Sequence, residues 1–218
     1  MHTVRLIGTP KIFQIGKVVC LARNYSEHIR ELGNEVPEKP VLFIKPASSI
    51  IGQGETVIIP PYSHECHHEV ELAVLIGKWG KNIREQDALE HVAGYGVAID
   101  LTLRDVQNEL KKKGLPWEIA KGFDTACPLS DFIPDGQVPD PHALHIALRV
   151  NDKVRQNSST AHMMRSIPTI IRDVSAAFTL EEGDVILTGT PAGVGPVASG
   201  DRLTAEIERV GQLEVFVQ

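Results

Sequence analysis

His67-His68-Glu69-Val70-Glu71-Leu72-Ala73-Val74-Leu75-Ile76-Gly77 decides how the chain is read. Apolar residues run through it without a break after Glu71, so it is the longest strand expected in the sequence. Residues two apart on a strand share a face. Glu69 and Glu71 therefore point one way, and Val70, Leu72 and Val74 the other. Beyond Glu71 both faces are apolar, so the strand enters the core. Two carboxylates at the edge of a core repel each other and lose hydration, and a cation must compensate. A divalent metal would serve both at once; lysine or arginine partners at a solvent-facing strand end would serve each separately. The segment alone leaves both readings open.

The next apolar run, Val92 to Ile99, is a second buried strand, and Asp100 is the single charge that closes it. A third carboxylate there could complete an all-oxygen site, or it could cap the turn into Thr102. Three carboxylates without a thiolate favour Mg²⁺ or Mn²⁺ over Zn²⁺. His64, Cys66, His67 and His68 do not make a zinc site, because no second ligand pair accompanies them.

Further strands are expected at Lys17–Leu21, Val41–Lys45, Glu55–Ile59, Leu144–Val150, Asp184–Thr188, Asp201–Arg209 and Leu213–Val217. Eighteen glycines and fourteen prolines cut the chain into such short pieces. Helices are expected from Asn24, as N-cap, to Gly33; around Glu85–His91; from Thr102, as cap, to Gly114; and from Thr160 to Leu180, interrupted by Pro168. Met163 and Met164 count as core. A loop follows from Asn34 to Pro40, and another, rich in glycine, spans Gly189 to Pro196. The class is α+β, with strands dominant and no regular alternation. Residues 1–16 form a short N-terminal extension to one catalytic domain over 17–218.

Composition narrows the function. Charged residues make up 23% of the chain and hydrophobic ones 42%, which excludes disorder. The net charge of −6 speaks against nucleic acid. The run Lys111-Lys112-Lys113 is explained as the end of a helix, where cations suit the dipole. No apolar stretch is long enough to span a membrane. Three scattered cysteines, Cys20, Cys66 and Cys127, without a CxxC pair fit a reducing, cytoplasmic setting. Phosphate-loop, dinucleotide, nucleophile-elbow and HExxH motifs are all missing. Two helices carry polar residues on otherwise apolar stripes. Gln107 follows Leu103 by four residues and shares its face. His28 lies on the stripe of Tyr25, Ile29 and Leu32, with Glu31 three residues on and within touching distance. Such a His–Glu pair can activate water as a general base.

At these residues the chain resembles the fumarylacetoacetate hydrolase family, in particular its small members, the acylpyruvate hydrolases and oxaloacetate decarboxylases. The resemblance is carried by Arg23-Asn24-Tyr25, Pro40-Val41-Leu42-Phe43-Ile44-Lys45-Pro46, the segment His67 to Leu72, the segment Gly94 to Gln107, Lys111 to Trp117, and Leu187-Thr188-Gly189-Thr190-Pro191. It implies a mixed, barrel-like β-roll and a homodimer. It implies that Glu69, Glu71 and Asp100 bind Mg²⁺ or Mn²⁺, that His28 and Glu31 activate water, and that Lys121 meets the negative charge developing on substrate. Arg23, Gln107 and Thr190 match substrate-contacting positions. Larger relatives add a fourth acidic ligand near the N-terminus; Val18 to Ser26 holds no acid, so three carboxylates are expected.

The implied substrate is a small 2-oxo acid. The implied chemistry is cleavage beyond C3 of a 2,4-dioxo acid, or decarboxylation of oxaloacetate, through a pyruvate enolate. Tautomer exchange of oxaloacetate, and isomerisation or decarboxylation of hydroxymuconate-type diacids, are the alternatives for the same site.

Overall fold

The computed structural model describes residues 2–33 and 35–218; Asn34, the first residue of the expected loop before Pro40, lies outside them. The architecture follows from two apolar strands that pair along their length. Val70–Ile76 runs antiparallel to Val92–Ile99, with Val70 opposite Ile99 and Glu71 opposite Ala98. Every residue of Val70–Ile76 is buried, which makes it a central strand. Around this pair stands a six-stranded mixed sheet in the order Ile133–Pro134, Val92–Ile99, Val70–Ile76, Val185–Leu187, Val18–Ala22, Val41–Lys45. Its Val185–Leu187 strand is parallel to Val18–Ala22 and antiparallel to Val70–Ile76.

A five-stranded sheet, Lys153–Ser159, His145–Val150, Arg202–Ile207, Gly211–Val217 and Thr56–Val57, packs over it. Leu148, Leu203, Ala205, Leu213 and Val215 meet Val70, Leu72, Val97 and Ile99 in one apolar core. A second core on the other face holds Val18, Cys20, Ala73, Leu75 and Phe132. Neither sheet closes on itself, so the β-rich expectation is met by open, packed sheets rather than a barrel. Residues 2–16 are more than a tail. Thr3–Arg5 and Ile12–Gln14 form a hairpin whose Val4, Leu6, Phe13 and Ile15 are buried in the second core.

The expected strand over His67–Gly77 is in fact two, Cys66–His68 and Val70–Ile76, broken at Glu69. Cys66–His68 pairs instead with Thr102–Leu103 and Gly195–Val197 in a small third sheet. The two neighbouring chain segments thus leave the large sheet together, one at Glu69 and the other at Asp100. Their side chains are presented at that corner rather than along one flat strand face.

Four α-helices are described: α1 Ser26–Glu31, α2 Arg104–Lys113, α3 Glu118–Lys121 and α4 Ile167–Ala177. Several sequence expectations are corrected here. Asn24 does not cap α1, whose N-cap is Tyr25 without a side-chain bond. Thr102 is a strand residue, and α2 starts after Leu103. Glu85–His91 is a 3₁₀ turn rather than an α-helix. The Thr160–Leu180 stripe is a 3₁₀ turn, a bend and then α4, with Pro168 in its first turn. Met164 is exposed, not core. The polar strand Lys153–Ser159 carries no apolar alternation and is not foreseen.

Candidate active site

The corner at Glu69 and Asp100 is drawn tight by the backbone: Asp100 N–H donates to Glu69 O at 2.7 Å. Carboxylate oxygens of Glu69, Glu71 and Asp100, one from each, lie within 4.8 Å of one another, and all three residues are buried. Cations do accompany two of the acids, at a buried corner rather than a solvent-facing strand end, and the trio is placed so that it could hold a divalent ion. Glu69 pairs with Lys121 Nζ at 2.9 Å and with Arg104 Nη2. Asp100 pairs with Lys121 Nζ at 2.6 Å and Lys45 Nζ at 2.8 Å. Glu71 has no ion pair among the described residues; it accepts one hydrogen bond, from Gly189 N–H at 2.6 Å.

The electrostatics follow. Burial alone would raise the Glu69 carboxyl, but the charges of Lys121 and Arg104 outweigh it and hold it well below the usual range. Burial, then the charges of Asp100 and Glu69, push Glu71 well above it. Lys121 loses hydration by burial, but Asp100 and Glu69 raise its ammonium above the usual lysine value, so it is a fixed cation. A buried oxygen-only trio with one carboxylate lacking a cation suits a hard divalent ion.

Lys45 is wholly buried. Its ammonium also donates to the backbone carbonyls of Leu101 at 3.1 Å and Ala126 at 2.9 Å, and to that of Lys121. One side chain thus fastens Asp100 and the segment carrying Lys121. Lys121 ends α3, contacts Thr102 Oγ1 at 2.7 Å, and lies 4.9 Å from the centre of the Phe43 ring.

Eight of the nine residues singled out from sequence line one pocket: Arg23, His28, Glu69, Glu71, Asp100, Gln107, Lys121 and Thr190. The ninth, Glu31, stands behind His28, with Oε2 3.4 Å from His28 Nδ1. Glu31 is positioned in turn by Gly193 N–H at 3.0 Å. Gly193 has φ +99°, and a Cβ there would sit 2.2 Å from Arg155 O, so only glycine serves. Arg23 leaves its strand at φ +62°, an uncommon backbone for a branched-free but bulky residue. Asn24 ties this corner down: its side chain donates to Thr188 O at 2.9 Å and accepts from Arg165 N–H at 2.8 Å. Gln107 accepts from Arg104 Nη1 at 2.7 Å.

Sequence reasoning passed over four residues that hold this site. Lys45 ends an apolar strand as a lone charge, the same signal that singled out Asp100. Arg104 precedes Gln107 by three on the same helix face. His68, set aside with the zinc reading, contacts Gln156 Oε1 through Nδ1 at 3.0 Å. Gln156 is fully buried, accepts from Val70 N–H at 3.0 Å, and donates to Thr190 Oγ1 at 2.7 Å. It sits on the unforeseen polar strand, and nothing in its sequence neighbourhood marks it.

With this geometry in place, comparisons with known proteins are decisive for the family. The description "fumarylacetoacetate (FAA) hydrolase C-terminal" matches residues 17–218, and the chain belongs to that family. It is 50% identical over 209 residues to the mitochondrial oxaloacetate tautomerase of Mus musculus, covering 95% of each chain. It is 50% identical over 197 residues to the oxaloacetate tautomerase of Escherichia coli, covering 90% of each. The fumarylpyruvate hydrolase of Pseudomonas aeruginosa, solved with Mn²⁺ and pyruvate, superposes with a TM-score of 0.95 at 36% identity, covering 99% of this chain and 95% of that one. Among the described residues, no helix is long and apolar enough to cross a membrane.

Proposed function

We propose that this chain is a divalent-metal-dependent enzyme of small 2-oxo acids, and that its reaction is keto–enol exchange of oxaloacetate. The observation that carries the reading is the buried trio Glu69, Glu71 and Asp100, with Glu71 lacking a cation and Lys121 touching the other two. The trio would hold Mg²⁺ or Mn²⁺, which supplies Lewis acidity toward a keto oxygen. Lys121, charged at all relevant pH, stabilises the enolate charge as it forms. His28 removes the proton at C3 and returns it, and Glu31 keeps the ring oriented. Gln107 and Thr190 align the acid, Thr190 being held by Gln156.

The test is the decay of enol oxaloacetate in the presence of the protein with Mg²⁺, with Mn²⁺, and after chelation. Metal-dependent acceleration is expected; none with either ion would sink the proposal. A second reading, hydrolysis of acylpyruvates, is favoured by the His28–Glu31 pair, since only hydrolysis needs an activated water. Acetylpyruvate in the same assay separates the two. A reducing, cytoplasmic setting belongs to the same proposal, supported by three free buried thiols. So does a homodimer, which the resemblance to the family implies.

A further inference from the structure

The three lysines that close α2 are not equivalent. Lys112 and Lys113 are exposed, whereas Lys111 is half-buried and lines the pocket. It follows Gln107 by four residues and Arg104 by seven, so the three stand in a row on one helix face. The row runs from Arg104, which touches Glu69 at the pocket floor, over roughly 10 Å of helix rise to Lys111 at the mouth. Arg23 lines the same pocket from the opposite chain segment.

Lys111 makes no hydrogen bond or ion pair with an acid among the described residues. Its strongest charged neighbours are cations: burial, then Arg104 and Arg23, lower its ammonium below the usual lysine value. Gathering like charges in a partly dehydrated place is unfavourable unless an anion arrives. The floor cannot supply it. Glu69 and Asp100 already face three cations, Lys45, Arg104 and Lys121, and the third acid, Glu71, has no ion pair among the described residues. With all three acids ionised, the formal charges of those acids and the three cations sum to zero, so a bound divalent ion would leave two positive charges, of which a monoanion would balance only one.

We propose that Lys111, with Arg23, forms a subsite for the far carboxylate of a dicarboxylic 2-oxo acid, and that this subsite makes the enzyme prefer diacids to monoacids of the same length. The proposal rests on the 2-oxo-acid reading above and adds its specificity-determining residue. Lys111 is a substrate-contacting group with no part in the proton transfers.

The test is calorimetric binding to the Mg²⁺-loaded protein of a matched pair, 2-oxoglutarate and 2-oxovalerate, which differ in the far carboxylate alone. The wild type should bind the diacid about tenfold or more tightly than the monoacid, as a charge-assisted contact implies. Lys111→Met should erase that preference while leaving 2-oxovalerate binding unchanged. Lys111→Arg should restore most of it, and Lys112→Met should change nothing. In turnover, Lys111→Met should raise KM for oxaloacetate about tenfold with kcat within about threefold. Equal binding of the two acids by wild type, or equal weakening of both by Lys111→Met, would overturn the subsite while leaving the 2-oxo-acid reading intact. Failure of the wild type to bind either acid with Mg²⁺ or Mn²⁺ would remove that reading, and the subsite with it.

Discussion

Glu69, Glu71 and Asp100 stand at the ends of buried strands, while His28 and Glu31 stand on α1, a helix of six residues. The floor is cross-linked: Lys45 and Lys121 each hold an acid and at least one other segment. The opposite wall is held by few contacts, Asn24 at its start, Tyr25 and Ile29 buried beneath it, and the Glu31–Gly193 bond at its end. A divalent ion needs ligands that stay in place when it is gone, and dense cross-linking gives that. On the proposed reading His28 shuttles a proton, and its wall must then admit substrate first, which a short helix with few contacts allows.

The largest effects should fall on opposite sides of this contrast and in different measurements. Lys45→Met removes the cation from a buried pair and orphans carbonyls, and should destabilise the metal-free protein by about 3–5 kcal/mol in chemical denaturation. His28→Ala should leave stability within about 1 kcal/mol. It should lower oxaloacetate tautomerisation and acylpyruvate hydrolysis about 10²-fold or more, yet spare metal-dependent oxaloacetate decarboxylation, where CO₂ leaves without a base. If Lys45→Met cost under about 1 kcal/mol, the floor would not be cross-linked in the sense described. If His28→Ala depressed all three reactions by one factor, the α1 side would be structural too.

Next in size is the single uncompensated acid. Glu71 has a carboxyl raised by burial and by Asp100 and Glu69, so folding without metal favours its protonated form. At a pH below the unfolded value both states hold the proton and nothing is lost. As pH rises above it, the unfolded chain ionises freely while the folded one resists, and stability falls. Glu71→Gln should therefore be more stable than wild type at pH 7 without metal, with the advantage vanishing toward about pH 4.5. Saturating Mg²⁺ or Mn²⁺ should raise the wild-type Tm by roughly 5–10 °C at a hundredfold excess over Kd, and leave the variant unmoved. A variant that is less stable at pH 7, or that still responds to metal, would show that Glu71 is neither strained nor a ligand.

The same contrast explains what could be read from sequence. Charges that interrupt long apolar runs are conspicuous, so Glu69, Glu71 and Asp100 stand out, and Lys45 belongs with them. The break at Glu69 is not legible, because no glycine or proline interrupts Cys66 to Ile76 and only tertiary pairing moves Cys66–His68 into another sheet. Capping expectations at Asn24 and Thr102 failed for one reason: each polar side chain has a longer-range partner that outweighs the local bond, Thr188 and Arg165 for the first, Lys121 for the second. Gln156 lies beyond any local pattern, since its four hydrogen-bonding partners come from two distant segments, His68 with Val70 and Thr190 with Pro191. Lys111 shows the opposite error, a pocket-lining position hidden inside a run that a helix end explains adequately.

The smallest expected effect tests whether α1 acts as a lid over the pocket. A helix of six residues is marginal without tertiary support, and α1 receives it mainly from Tyr25 and Ile29, while Leu32 is only partly buried. Gly33, at φ +62°, ends the helix with backbone that a side chain would resist, and so marks a natural hinge. Amides of Ile29 and Leu32, bonded to Tyr25 O and His28 O, report whether this turn opens. In the metal-free protein they should exchange through local opening, well before Val70–Ile76, whose amides lie in a fully buried strand. Oxalate with Mg²⁺ should slow exchange at Ile29 and Leu32 by roughly five- to tenfold, about 1–1.4 kcal/mol of added protection, and leave Val70–Ile76 unchanged. Closure over the pocket would keep bulk water from the enolate and strengthen the pull of Lys121 on it. If α1 is already as protected as the central strand without ligand, the two walls are equally rigid, and admission of substrate must be sought at the mouth between Arg23 and Lys111 instead.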